Sequence, residues 1–156
     1  MATLRAATLD DLESIAEIER SAFTDPWSRA SFRSMLDQAP VWFVVAESGE
    51  RVVGYVVAWF IGGDGEIGNV AVDEAYRGQG IGGMLLDAVL AEARRREVEA
   101  VYLEVRESNL AARRMYERYG FARVGRRRRY YRRPEEDALI LRLALNPASA
   151  GEDAGR

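Results

Sequence analysis

Residue types and spacing first suggest chemistry in the stretch Gly78-Gln79-Gly80-Ile81-Gly82-Gly83. Glycines without a Cβ let successive backbone N–H groups turn into one concavity, and a helix starting there adds the positive end of its dipole. Such a cradle suits a pyrophosphate, and Arg77 stands directly before it. The same six residues spell G-x-G-x-x-G, and Glu104 follows Gly83 by 21 positions, as in a dinucleotide-binding turn. The setting argues against that reading. Residues 73–77 separate the glycines from the preceding strand, and too little chain follows to build a second nucleotide-binding half.

The side chains that are missing narrow the chemistry further. The 156 residues include no Cys and no His, and all 22 basic residues are Arg. Disulfides, thiolate nucleophiles, Cys/His metal sites, imidazole bases and lysine Schiff bases are thereby excluded. Acid–base work falls to Asp, Glu, Tyr, hydroxyls or water, and no metal is expected. With 48% hydrophobic residues the chain can fill one core, which sets aside a disordered or disulfide-stapled protein. A formal charge of −3 argues against a protein built globally for nucleic acid. The longest apolar run, 52–61, contains Gly54 and is far too short to span a bilayer. Residues 1–25 carry acids and lack an apolar export core, so the expected location is cytoplasmic, with no membrane partner.

The elements that must position the glycine loop follow from periodicity and caps. A strand is expected at 4–7, then a helix from Thr8 to about Ala22, opened by the Thr8–Asp11 capping-box spacing and buried through Leu12, Ile15, Ala16 and Ile18. Ser28 caps a short second helix. Strands at 41–47 and 51–61 form a hairpin around Ser48-Gly49-Glu50, and Gly62-Gly63-Asp64-Gly65 turns the chain into a strand at 66–72. The glycine loop then enters a helix to about Arg96. A strand at 100–105 alternates Val101, Leu103 and Val105 with Tyr102 and Glu104. Asn109 caps a helix that stops near Gly120, and 121–128 with 137–145 close as an antiparallel pair. The order β-α-α-β-β-β-α-β-α-β-β predicts one α/β (mixed α+β) domain over 1–145, with helices flanking a mixed, mostly antiparallel sheet. Residues 146–156 read as a frayed C-terminal tail.

Five motifs at compatible spacing carry a resemblance over residues 2–145. Arg77-x-x-Gly80-x-Gly82 after Asn69-Val70-Ala71-Val72 resembles the acyl-CoA signature of the GNAT acetyltransferases. The others are 22–28 (AFTDPWS), 103–109 (LEVRESN), 116–121 (YERYGF), and Tyr130-Tyr131 with Glu136-Asp137-Ala138. Together they resemble the RimI subfamily of ribosomal-protein-alanine N-acetyltransferases. The resemblance implies the GNAT fold, its sheet splayed at the acetyl-CoA site. It also implies direct acetyl transfer from acetyl-CoA to a protein N-terminal amine, that of a small-subunit ribosomal protein.

An α-amine has a pKa of about 8 against about 10.4 for lysine, so its deprotonation near neutral pH costs about 3 kcal/mol less. A carboxylate suffices as base, and Glu104 matches the subfamily's base. Tyr116 matches its general acid, a phenol that can protonate the departing thiolate. The resemblance assigns the oxyanion contact to backbone N–H groups of Val70, Ala71 and Val72. It assigns acetyl-CoA binding to Arg77, Gly78, Gln79, Gly80, Ile81, Gly82 and Gly83; Asn109, a cap and a donor, is a further candidate to hold the pantetheine arm. Trp27, Tyr130 and Tyr131 are candidate acceptor contacts, Trp27 equally a core anchor. Seven arginines lie within 123–133, either a docking surface for an acidic or RNA-associated partner or a solvated hairpin. No direct nucleic-acid binding is expected, and the chain is expected to be a monomer or weak dimer. The alternatives are a broader N-terminal or lysine acetyltransferase and a non-catalytic acetyl-CoA-binding or docking module.

Overall fold

The computed structural model describes residues 1–38 and 41–145, and the tail expected at 146–156 lies outside the described residues. In chain order the elements are β1 (Ala2–Ala6), α1 (Leu12–Ala22), α2 (Arg29–Leu36), β2 (Val41–Ser48), β3 (Arg51–Ile61), β4 (Asp64–Val72), α3 (Ile81–Arg95), β5 (Ala100–Arg106), α4 (Leu110–Arg118), β6 (Ala122–Arg132) and β7 (Glu135–Ala144). The expected order holds. Strands run β1-β2-β3-β4-β5-β7-β6. The β4–β5 pair is parallel and the β1–β2, β2–β3, β5–β7 and β6–β7 pairs are antiparallel, giving the mixed, mostly antiparallel sheet.

Contacts divide the described residues into two units: Met1–Trp59 with Gly68–Ala91, and Phe60–Ile67 with the described residues from Glu92 to Leu145. In the first, α1 contributes Leu12, Ile15 and Ile18 and α2 contributes Phe32 to a core with Phe43, Val45, Val52, Tyr55, Val57 and Ala71. Fully burying each large apolar side chain is worth about 1.5–3 kcal/mol, so this face fixes both helices. The helix expected from Thr8 opens instead as a 3-10 turn at Leu9–Asp11. Asp11 takes the Thr8 N–H at 2.8 Å, and the Arg5 guanidinium, through two hydrogen bonds, ties the same carboxylate to β1. Ser28 caps α2 as expected, its Oγ accepting the Ser31 N–H at 3.1 Å.

In the second unit, β4 pairs with β5 from Asp64↔Ala100 to Ile67↔Leu103. Val101, Leu103 and Val105 are buried as the alternation predicts. Their partners on β7 are Leu143, Leu141 and Leu139. Asn109 caps α4, and Gly120 takes up a φ of 97°, a left-handed position that favours glycine. Strand β6 runs four residues past its expected end, to Arg132, with two register shifts. It is the edge strand of the order, exposed along most of its length. Charge and bulges protect such an edge from pairing with another chain, which gives the arginines a structural reason to be there. Among the described residues no helix is long and apolar enough to cross a membrane.

Candidate active site

The glycine loop belongs to the first unit, and its approach is built by β4. The Asp73 N–H donates to the Val53 carbonyl at 2.8 Å, holding the exit of β4 against β3. Asp73 Oδ1 accepts the Ala75 N–H at 2.9 Å and shapes a 3-10 turn at Glu74–Tyr76 that the sequence reading did not foresee. Arg77 is exposed, its Nε donating to the Val72 carbonyl at 3.1 Å. Gly78 and Gly80 then adopt φ of 78° and 83°. Beyond the adjoining residues of the chain, no atom of the described residues lies within 4 Å of where a Cβ would stand on either, so the face beside both is open. Gln79 lies between them. Ile81, Gly82 and Gly83 begin α3, whose first turn carries no acid. Left-handed glycines, open space and an acid-free helix N-terminus together fit an anion. Val70 and Val72 are half-buried on β4, while Ala71 is in the core.

The proposed acid and base both lie in the second unit. Glu104 sits on β5, its side chain 15% exposed. Arg127 Nε stands 3.3 Å from its Oε1, whereas Oε2 is buried and has no hydrogen-bond partner among the described residues. One oxygen is therefore held and the other is available to accept a proton. Burial, and then the Glu104 charge, push the phenols of Tyr130 and Tyr131 above their usual value, so both rings lie near that carboxylate. The two rings meet edge-on at 5.0 Å. Tyr116 on α4 is buried against Phe121, with centroids 5.6 Å apart. Burial holds its phenol far above the usual value, so it keeps its proton through neutral and mildly alkaline pH. Asn109 Oδ1 is committed to the cap, accepting the Ala112 N–H at 3.2 Å.

Three positions carry contacts that the sequence assigned to none of them, although Arg106 and Glu136 stand in its motifs. Arg106 donates to the carbonyls of Pro134 and Arg133, at 3.0 and 3.3 Å, and lies 4.2 Å over the Tyr131 ring, clasping the β6–β7 hairpin. Glu136 takes the Ser108 N–H at 2.6 Å and the Ser108 hydroxyl at 3.0 Å, joining the same hairpin to the start of α4. Glu19, in the first unit, is a buried carboxylate on the apolar face of α1. A signal existed: by helical period Glu19 continues the stripe through Leu12, Ile15 and Ala16. Trp27 packs on Phe32 and Trp59, with centroids 5.7 and 6.3 Å away, and is half-buried. Among the described residues no group of three or more acidic side chains could hold a metal.

The glycine cradle that opens a helix after β4 is an anion-binding feature, set in a mixed, mostly antiparallel sheet of order β1-β2-β3-β4-β5-β7-β6. The chain belongs to the acetyltransferase (GNAT) family, whose model matches residues 12–121, and it is an acyltransferase. It is similar to the N-alpha-acetyltransferase RimI of Mycobacterium tuberculosis, 41% identical over 90% of each chain. It is also similar to the ribosomal-protein-S18-alanine N-acetyltransferase from Escherichia coli, whose crystal structure superposes with a TM-score of 0.87 at 31% identity, covering 94% of this chain and 95% of that one. A NatC complex bound to Gag peptide and CoA matches with a TM-score of 0.83 at 27% identity, over 93% of this chain and 99% of the matched chain.

Proposed function

We propose that this acyltransferase moves the acetyl group of acetyl-CoA directly onto a protein N-terminal amine, and that the acceptor is an alanine-starting ribosomal protein, as the name of the Escherichia coli enzyme states for that protein. The observation that carries the chemistry is the split environment of Glu104, whose carboxylate lies beside Arg127 and Tyr130 while its Oε2 is buried without a hydrogen-bond partner among the described residues. A carboxylate held by one oxygen is oriented to take a proton with the other.

In this reading Glu104 accepts a proton from the α-ammonium, and the free amine attacks the acetyl carbonyl carbon. The C–N bond forms and the carbonyl becomes an oxyanion, for which backbone N–H groups at Val70, Ala71 and Val72 are the proposed donors. As the intermediate collapses the C–S bond breaks, the thiolate of CoA takes the Tyr116 proton, and the second proton on the attacking nitrogen passes to water, from which Tyr116 is reprotonated. Burial keeps that proton on the Tyr116 hydroxyl at neutral pH, ready for the thiolate. Arg77, Gly78, Gln79, Gly80, Ile81, Gly82 and Gly83 hold the pyrophosphate, and the Asn109 amide N–H₂, left over from the cap, contacts the pantetheine arm. Trp27, Tyr130 and Tyr131 contact the acceptor. The reading puts the enzyme in the cytoplasm, where acetyl-CoA and newly made ribosomal proteins meet.

Peptides beginning with Ala, Ser or Met, and an N-blocked peptide bearing lysine, test the acceptor when products are read by mass spectrometry. Acetylation confined to the free N-terminus, fastest on Ala, is expected. Preferential acetylation of the blocked lysine peptide would contradict the N-terminal reading, and equal rates on all free N-termini would contradict the alanine preference.

A further inference from the structure

Glu19 is 1% exposed, yet no cation pairs with it among the described residues. Its oxygens take hydrogen bonds from uncharged donors on three separate segments. Oε1 accepts from the Tyr55 hydroxyl on β3 and, at 2.9 Å, from Asn69 Nδ2 on β4. Oε2 accepts from the same Asn69 nitrogen at 3.0 Å and from the Trp27 backbone N–H at 2.8 Å. Burying a carboxylate costs several kcal/mol that hydrogen bonds recover only in part, and well-packed apolar residues commonly serve stability as well or better. Burial accordingly raises the Glu19 carboxyl above its ordinary value. Stability is a poor reason for a charge here; geometry is a better one.

Asn69 is the residue immediately before Val70, and Trp27 covers the same strand. A Cβ on Gly68 would lie 3.0 Å from Trp27 Cη2 and closer still to the Trp59 ring, so only glycine lets these rings rest on β4. We infer that Glu19 is a positioning residue for acetyl transfer, fixing through Asn69 the course of β4 into residues 70–72 and through the Trp27 N–H the segment that covers β4 at Gly68. This rests on the reading that the backbone of residues 70–72 receives the acetyl carbonyl. A displacement of about 1 Å there costs on the order of a hundredfold in rate without removing any group that touches substrate.

The test uses the full chain and the variants Glu19→Gln, Asn69→Ala and Tyr55→Phe, each assayed well below its own Tm. One readout is kcat on an alanine-starting peptide, and the other is the protection from hydrogen exchange that acetyl-CoA confers on residues 69–73. Glu19→Gln and Asn69→Ala should lose about tenfold to a hundredfold in kcat and lose that protection, with the acetyl-CoA Kd changed less than about threefold. Tyr55→Phe leaves both links of Glu19 to Asn69 and Trp27, so it should lower Tm and keep kcat within about threefold. A merely structural Glu19 would lower Tm in all three and leave kcat and protection of the folded variants unchanged, and that result overturns the inference. If Glu19→Gln fails to fold, Asn69→Ala decides. If the wild type acetylates no peptide the proposed function fails, while exchange still decides on Glu19: protection lost in the variants upholds it, and protection retained overturns it.

Discussion

Arg127 holds Glu104 by one oxygen, Nε to Oε1 at 3.3 Å, and leaves Oε2 buried without a protein donor among the described residues. The arginine side chain is 56% exposed. Exposed pairs are worth about 0–1 kcal/mol, so Arg127→Ala should lower kcat/KM by no more than about fivefold in steady-state assays. A hundredfold loss would show that Arg127 does more than orient the carboxylate.

Tyr116→Phe deletes the proposed proton donor and keeps the ring that packs on Phe121. A drop in kcat of about a hundredfold is expected, with acetyl-CoA affinity unchanged by calorimetry. Because burial holds the phenol far above its ordinary value, wild-type kcat should show no alkaline decline from this group up to about pH 10. A decline near pH 9 that disappears in Tyr116→Phe would contradict that environment.

Gly80→Ala places a Cβ on a residue at φ 83°, a strain of about 1–2 kcal/mol. The open space beside it means the strain, not a clash, is the main effect. The acetyl-CoA Kd should rise by about tenfold, and Arg77→Ala should weaken binding through lost charge in a salt-dependent way. Unchanged affinity in both variants would remove the loop from the site.

The pH dependence of stability offers a check on Glu19. Burial raises its carboxyl against the hydrogen bonds of Tyr55, Trp27 and Asn69, which lower it. The folded protein thus holds this proton more tightly than the unfolded chain does. The stabilisation that results is complete below the unfolded pKa of about 4.3, and it is lost as pH rises through the folded value. Urea denaturation should show the stability of wild type relative to Glu19→Gln falling as pH rises from about 4 toward neutrality. A flat difference, or one of opposite sign, would contradict the raised carboxyl.

What could be read from sequence was what local rules encode. The element order, the Ser28 and Asn109 caps and the alternation of β5 each depend on residues a few positions apart, and all stand in the structure. The glycine loop was legible for the same reason, since φ near 80° at Gly78 and Gly80 is a property of single residues. Glu19 was not, because its partners Tyr55 and Asn69 lie 36 and 50 positions away and only folding brings them together. The extension of β6 to Arg132 was also missed, since a run of arginines carries no alternation, and pairing with Glu135 and Glu136 on β7 extends the strand. Tyr116 and Glu104 were proposed by resemblance alone; burial of the first and the unpartnered second oxygen of the other required coordinates.

The role proposed for Glu104 is removal of the proton of an N-terminal amine. Its most direct test is kcat of Glu104→Gln against wild type on an alanine-starting peptide, at saturating acetyl-CoA and neutral pH, with the acetyl-CoA Kd measured alongside. The variant should lose about a hundredfold or more in kcat and keep the wild-type Kd. Turnover equal to wild type would contradict the account.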